Sequence, residues 1–335
     1  MTSPFTGGEV LKKSTIQTLS YRSQTFQVYA HYYKCVDTGE TFTTEELDAL
    51  NLLQLHNQYR ERNHILFPEQ IKALREHYGI SQRSMSTLMG FGINQYRSYE
   101  EGEIPSLSNA KLIGLARDPR NFRELILERK DELKERELAD LLRRVDELMI
   151  SQNDPGQVVL NAVWNPSEVP NQYTGYRIPS FEKFAQMVLF FFGQTDHLYT
   201  VRLNKLLFYA DFGHFKRTGY SISGARYCAI PKGPVPDEYR ILNDLLVQQG
   251  YLEQTYAERG DEVFEAYQPH HSRQADTSIF SHSELEILHL TAQTFRFVKT
   301  ADIIERSHGE IGWIVNEPSR SSISYQQYGF ALKSL

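Results

Sequence analysis

Two sets of residues have types and spacings that suggest chemistry. In the second half of the chain Asp211, His214, Cys228 and His308 supply a carboxylate, two imidazoles and a thiol, the raw material of a nucleophile and its base. No spacing among them is diagnostic, no glycine-rich loop cradles a phosphate, and no group of ligands closes around a metal. The expectation is therefore no catalytic residue, no metal, no cofactor and no enzyme. In the first half, Asn94, Gln95, Arg97 and Ser98 are the residue types that read nucleic acid. An Asn or Gln amide pairs with an adenine edge, and an arginine grips guanine or a phosphate. Ser81, Gln82 and Arg83, a little earlier, are suited to meet the phosphate backbone through side chain and amide. His31 and Cys35 are close in sequence, but tetrahedral zinc wants four such ligands. The adjacent His270 and His271 lie in a polar stretch and read as solvated.

The elements that must hold these residues follow from pattern. Ile80 to Gly90 reads as a capped helix ending in a glycine turn, and Ile93 to Glu100 as a second short helix. Ile93, Tyr96 and Tyr99 would face inward, with Asn94, Gln95 and Ser98 outward and Arg97 beside them. Both a helix-turn-helix and a small bundle with a polar face fit that spacing. Before it, Thr25 to Cys35 reads as strand, and Thr43-Thr44-Glu45-Glu46 as the cap of a helix. After it, Asp118-Pro119 opens what reads as one long charged helix to Ile150. Its Leu138, Leu141, Val145 and Leu148 suit either a short dimerising coiled coil or packing against a neighbour. Residues 151–180, rich in Asn, Pro and Gly, read as a linker.

From Phe181 onward a mostly helical domain is expected. Leu203, Leu206, Leu207 and Ala210 form an apolar helical stripe, interleaved with Asn204, Lys205, Tyr209, Asp211 and His214. Pro231 to Pro236 reads as a rigid extended loop, and Ser281 to Glu284 as a capping box. Lys205, Asp211, His214 and Arg226 suit either a buried network that specifies packing or the floor of a binding cleft.

Composition bounds the class. The 335 residues carry a formal charge of −6 and only two cysteines, Cys35 and Cys228, which fits two or three domains in a reducing compartment. Residues 60–120 are slightly basic (roughly +2), so any contact with DNA falls there. The longest apolar run, Met187 to Phe192, is far short of the ~20 residues that span a bilayer. With no signal-like N-terminus, the expectation is a cytoplasmic protein with no membrane partner.

Three blocks of residues resemble known families. Ile80-Ser81-Gln82, Gly90, Tyr99-Glu100, Gly102 and Pro105-Ser106 resemble the Xre-type helix-turn-helix signature. With Tyr59-Arg60, Leu66-Phe67-Pro68, Ile71-Lys72, Arg75 and Gly90 to Asn94, the wider block resembles MqsA/YgiT-type antitoxins. That resemblance implies a base-reading role for Asn94, while Ser98 stands where the family has an arginine, leaving Arg97 to share that role. The family's N-terminal zinc domain holds two Cys-x-x-Cys pairs. Here the second is Cys35-Val36-Asp37-Thr38 and the first reads as absent, a relic without zinc.

The third block begins with Lys205 to Phe212 and His214-Phe215, followed by Tyr227, Gly233 to Asp237, Ser307-His308 and Ile323 to Tyr325. In that order these resemble the Panacea (SocA-like) domain of antitoxins. Pattern and resemblances together give a mainly α fold with a small β-containing N-terminal region: 1–60 degenerate MqsA-like without a complete zinc site, 61–117 helix-turn-helix, 118–150 connecting helix, 151–180 linker and 181–335 Panacea. The resemblances, with the 138–148 stripe, imply a homodimer that binds operator DNA through the helix-turn-helix to repress its own operon, and neutralises a cognate toxin from an adjacent gene through the Panacea domain, by occlusion or by delivery to a protease. Tyr209, Asp211, His214, Arg226, Tyr227, Pro234, Val235 and Trp313 are the expected toxin contacts. The alternative is a phage or prophage regulator whose C-terminal domain binds a protein other than a toxin.

Overall fold

A computed structural model describes residues 1–151, 164, 169–194, 198–259 and 262–335. The chain divides into two compact units, residues 1–159 and 160–335. The architecture is mainly α, with small antiparallel sheets.

The first unit opens on a hairpin of β1 (Val10–Tyr21) and β2 (Gln24–Cys35), with β3 (Thr41–Phe42) added at its far end. The two-residue connection puts Arg22 and Ser23 at φ 45° and 64°, the left-handed pair that suits the twist of a hairpin. Arg22 is held there by donating to the carbonyls of Ile104 and Pro105 at 3.1 and 2.9 Å. β3 pairs only with Tyr33 and Lys34, so most of that edge of β2 needs other partners. Helix α1 (Glu45–Arg62) supplies them. The Gln54 amide both donates to the Tyr29 carbonyl and accepts from its N–H, each at 2.9 Å. Asn51 does the same for His31, and Gln58 donates to Gln27. Three amides along one helix face thus complete the ladder and blunt an exposed edge.

The chain enters and leaves this hairpin through two turns of one shape. Residues 3–8 and 35–40 make the same bonds: Ser3 N to Gly8 O and Cys35 N to Glu40 O, Gly7 N to Ser3 O and Gly39 N to Cys35 O. In each, the hydroxyl of Thr6 or Thr38 accepts from the backbone two residues on. Gly7 and Gly39, at φ 73° and 76°, close both turns. Ser3-x-x-Thr6 is therefore the geometric counterpart of Cys35-x-x-Thr38, and the first cysteine pair is absent as expected from the sequence, with hydroxyls at its place. The hydroxyls of Ser3, Thr38 and Thr6 surround the Cys35 thiol and lower its pKa to about 6. One sulfur among three hydroxyls does not make a tetrahedral zinc site.

Helices α2 (Pro68–Tyr78), α3 (Gln82–Leu88), α4 (Gln95–Glu100) and α5 (Leu107–Leu115) form the middle of the unit. The expected single charged helix is two: α6 (Pro119–Glu128) and α7 (Glu135–Ser151), parted by a 3-10 turn at Lys130–Glu132. Arg129 and Leu133 leave helical geometry on either side of that turn. Phe122 and Ile126 of α6, with Leu141 and Val145 of α7, are buried in one core with Ile71, Met85, Tyr96 and Ile113. Leu138 and Leu148 pack on the same core. The stripe serves packing within the chain, not a free coiled-coil seam.

In the second unit α8 (Phe181–Gln194) lies beside α9 (Thr200–Thr218), whose residues from Arg202 to Phe215 are all buried. Such a helix lies at the centre of its unit, which explains its unusual load of polar groups: each must find a partner inside. Around it come the hairpin β4 (Tyr227–Ile230) and β5 (Gly233–Pro236), α10 (Tyr239–Gln248), and the hairpin β6 (Leu252–Arg259) and β7 (Glu262–Pro269). Then follow α11 (His282–Phe295), α12 (Thr300–His308), α13 (Ile311–Asn316) and α14 (Tyr325–Tyr328). The stretch read as an extended loop is half of a hairpin, with Val235 paired to Cys228. Of the expected linker, residues 152–163 and 165–168 lie outside the described residues. Residues 169–180 are part of this unit: Thr174 and Tyr176 are buried, Ser221 donates to the Gly175 carbonyl, and Ser180 to that of Ser223. No described helix is long and apolar enough to cross a membrane.

Candidate functional site

The first candidate is the outer face of α3 and α4. Its frame is a partly buried ion pair: Arg75 of α2 clasps Glu100 of α4 with two nitrogens, at 2.5 and 3.2 Å. Arg75 also donates to the Ile80 carbonyl, and Gln82 of α3 donates to Glu100 at 2.6 Å. One carboxylate thereby fixes three helices, and it raises the Arg75 pKa. Tyr96 completes the frame, with its hydroxyl donating to Ile71 O at 2.8 Å and its N–H to Ser86 Oγ at 3.1 Å.

On this frame Asn94, Arg97, Arg83 and Ser81 are exposed, and Gln95 and Ser98 are half-buried. Asn94 sits just before α4 in a non-helical conformation and makes no capping bond with its side chain. Arg97 pairs with Glu101 one turn on, at 2.7 Å, with both side chains about 60% exposed (62% and 60%). So exposed a pair contributes little and separates readily when a phosphate approaches. Gln95 reaches Glu103 at 3.1 Å. Two expectations change. Ile93 is 66% exposed and belongs to the outer face, beside Asn94. Gln82 is drawn inward onto Glu100, while Ser81, still exposed, is the cap that accepts from Ser84 N.

The second candidate is the polar set on α9. The structure buries it. Asp211 is inaccessible to solvent, and each oxygen accepts two hydrogen bonds: Oδ1 from the N–H groups of Ile222 and Ser223, and Oδ2 from the hydroxyls of Ser223 and Tyr227. Burial raises its pKa and these donors oppose the rise. His214 lies between the Tyr220 carbonyl at 2.7 Å and Ser283 Oγ at 3.2 Å, and burial lowers its pKa to about 4, so the ring is neutral. Nδ1 then donates to the carbonyl and Nε2 accepts from the serine. Lys205 donates to Pro234 O at 2.8 Å, and burial lowers it to about 7. Gly233, at φ 93°, is required above it, since a Cβ there would lie 2.4 Å from Ser307 Oγ.

The expected contact surface is corrected accordingly. Tyr209, Asp211, His214, Tyr227, Pro234 and Val235 are interior, and only Arg226 and Trp313 are half-exposed. Arg226 lies 5.8 Å over the Tyr173 ring. Trp313 donates to Ile230 O and stacks on His308 at 4.0 Å. Nor do Asp211, His214 and Cys228 converge, each having separate partners, and burial raises Cys228 to about 11, away from a reactive thiolate. Sequence reasoning passed over the exposed apolar side chains of α13: Ile311, Ile314 (47%) and Val315 (51%), next to Trp313. A six-residue helix whose apolar groups split between core and solvent shows no usable periodicity.

Comparison with known proteins agrees with this division. Residues 71–115 match the helix-turn-helix family, and residues 203–314 match the family described as antitoxin SocA-like, Panacea domain. No curated protein and no solved structure matches the chain.

Proposed function

We propose that this chain, which carries a helix-turn-helix domain ahead of a SocA-like Panacea domain, is an antitoxin that neutralises a cognate toxin by direct binding and represses its own operon. The observation that carries the reading is the separation of tasks. One unit exposes Asn94 and Arg97 on a rigid three-helix frame, and the other buries its polar groups as scaffold and exposes an apolar patch on α13. Buried, fully engaged carboxylate and imidazole groups favour binding over catalysis. Operator recognition falls to Asn94 as base reader, with Arg97 and Arg83 on phosphate or guanine. A palindromic operator calls for a dimer, and its seam must be sought outside the 138–148 stripe. Toxin contact falls to Ile311, Ile314 and Val315 with the Trp313 edge, since apolar and aromatic side chains dominate interface energetics.

The test is growth while the adjacent reading frame is induced, alone or with this chain. Rescue by the wild type and its loss in Ile314→Asp support the reading, and so does loss of operator binding in Asn94→Ala with rescue kept. A harmless neighbour, or rescue and repression unchanged in both variants, overturns it.

A further inference from the structure

The β6–β7 hairpin places three ligating groups together at its open end. Glu253 is the second residue of β6 and stands opposite Gln268 of β7. The chain leaves β7 at Pro269, and His270 N immediately donates to Tyr251 O at 3.0 Å. Arg273 then ties the same segment down: its N–H donates to His270 O, its Nε to Gly250 O, and its guanidinium lies 4.7 Å over the Tyr251 ring. The backbone carrying His270 and His271 is thus fixed against the start of the strand carrying Glu253. Glu253 Oε1 lies 3.6 Å from His270 Nε2 and 3.3 Å from His271 Nδ1, and the three donor atoms lie within 4.8 Å of one another.

We propose that Glu253, His270 and His271 bind a borderline divalent transition metal, with Zn2+ as the reference ion and Ni2+ and Cu2+ as its chemical relatives. Ligands about 2.1 Å from a tetrahedral ion stand about 3.4 Å apart, so Glu253 already has near-final spacing to both rings. Two imidazoles and one carboxylate are the donor set that such ions prefer over Mg2+ or Ca2+, which take oxygen. The outer shell is also in place. With Nε2 as ligand, His270 Nδ1–H donates to the Ser272 hydroxyl 2.7 Å away, in exchange for the longer 3.3 Å bond that Nδ1 accepts from the Ser272 N–H, and Gln268 donates to the other carboxylate oxygen at 3.3 Å. Glu253 and His270 are half-buried and His271 is exposed, so the remaining coordination positions open to water. The bound ion would clamp the hairpin to the segment that leads into α11.

The experiment is calorimetric titration of the full chain with ZnCl2 at pH 7.5, paired with melting curves. The expected result is one saturable site per chain, weakened by at least about tenfold in His271→Ala and in Glu253→Gln. All three side chains reach the surface, so both variants should melt like the wild type without zinc and lose the zinc-induced rise. His282→Ala is the control: its ring pairs with Glu286 at 3.1 Å but, among the described residues, has no third ligand, and the zinc isotherm should not change. Absence of a saturable site, or binding retained in either Glu253→Gln or His271→Ala, overturns the proposal. So does an equal loss in His282→Ala.

Discussion

Replacing Asp211 is the sharpest probe of the second unit, because its two carboxylate oxygens organise the whole 219–227 loop. Asp211→Ala strands four donors. The hydroxyls of Ser223 and Tyr227 rotate about their C–O bonds, whereas the N–H groups of Ile222 and Ser223 are fixed by the backbone. Each buried donor left without a partner costs about 1–3 kcal/mol, and relief from burying the carboxylate offsets part of the sum, so a net loss of roughly 3 kcal/mol is expected. Asp211→Asn keeps Oδ1 for the two N–H groups and presents an amide to two hydroxyls that accept as well as donate. Its cost should be about 1 kcal/mol. Urea unfolding followed by tryptophan fluorescence is the assay, since both tryptophans, Trp164 and Trp313, belong to residues 160–335 and report on that unit alone. An Asp211→Ala midpoint equal to that of the wild type, or an asparagine variant as weak as the alanine one, would refute the claim that this carboxylate pins the loop.

Other perturbations test other links. His214 has its pKa lowered from 6.5 to about 4, so the unfolded chain takes up its proton first. The stability from the neutral ring should be complete above pH 6.5 and fall as pH drops toward 4, by up to about 3 kcal/mol, and His214→Gln should flatten that slope of unfolding against pH. Combining Ser3→Cys, Thr6→Cys and Thr38→Cys should create a four-thiolate site, seen as thiolate-to-cobalt absorption on adding Co2+; its absence would show that the two turns do not converge. Glu101→Gln, which frees Arg97 and removes a negative charge, should tighten operator binding several-fold, whereas Arg97→Ala should reduce the slope of log affinity against log salt by about one. A gel-shift series at several salt concentrations reads both.

What the sequence made legible, and what it hid, follows from how local each signal was. The caps of α6 and α11 were readable because Asp118-Pro119 and Ser281-x-x-Glu284 satisfy their own helix ends. β2 was readable from its aromatic and β-branched residues, but β1 was not: Lys12 to Thr18 is polar except for the exposed Ile16, because that strand lies exposed on the hairpin, with little apolar pattern to betray it. The break at 130–132 was hidden because Lys-Asp-Glu is compatible with a helix, and only the return of α7 onto the core demands a turn. Ser3 and Thr6 were missed because a search for sulfur passes over hydroxyls, although Gly7 and Gly39 mark both turns. The partners of Asp211 lie eleven to sixteen residues away, in a loop whose shape no periodicity encodes.

The burial of α9 changes what the resemblance to SocA-like antitoxins means for partner choice. Lys205, Asp211, His214, Tyr227, Gly233 and Tyr325, which carry much of that resemblance, are interior residues whose described bonds and close contacts stay within the unit. A pattern made of such residues specifies a frame, because an unpaired polar group inside costs more than any one surface contact returns. It does not specify a ligand. If the frame is what matched domains share, partner choice under the proposed function falls to residues the pattern leaves out, such as the exposed side chains of α13, which are free to differ without disturbing the interior. One fold would then serve unrelated toxins, and exchanging the surface of α13 between two such domains should exchange their partners while Asp211 and its four donors stay unchanged.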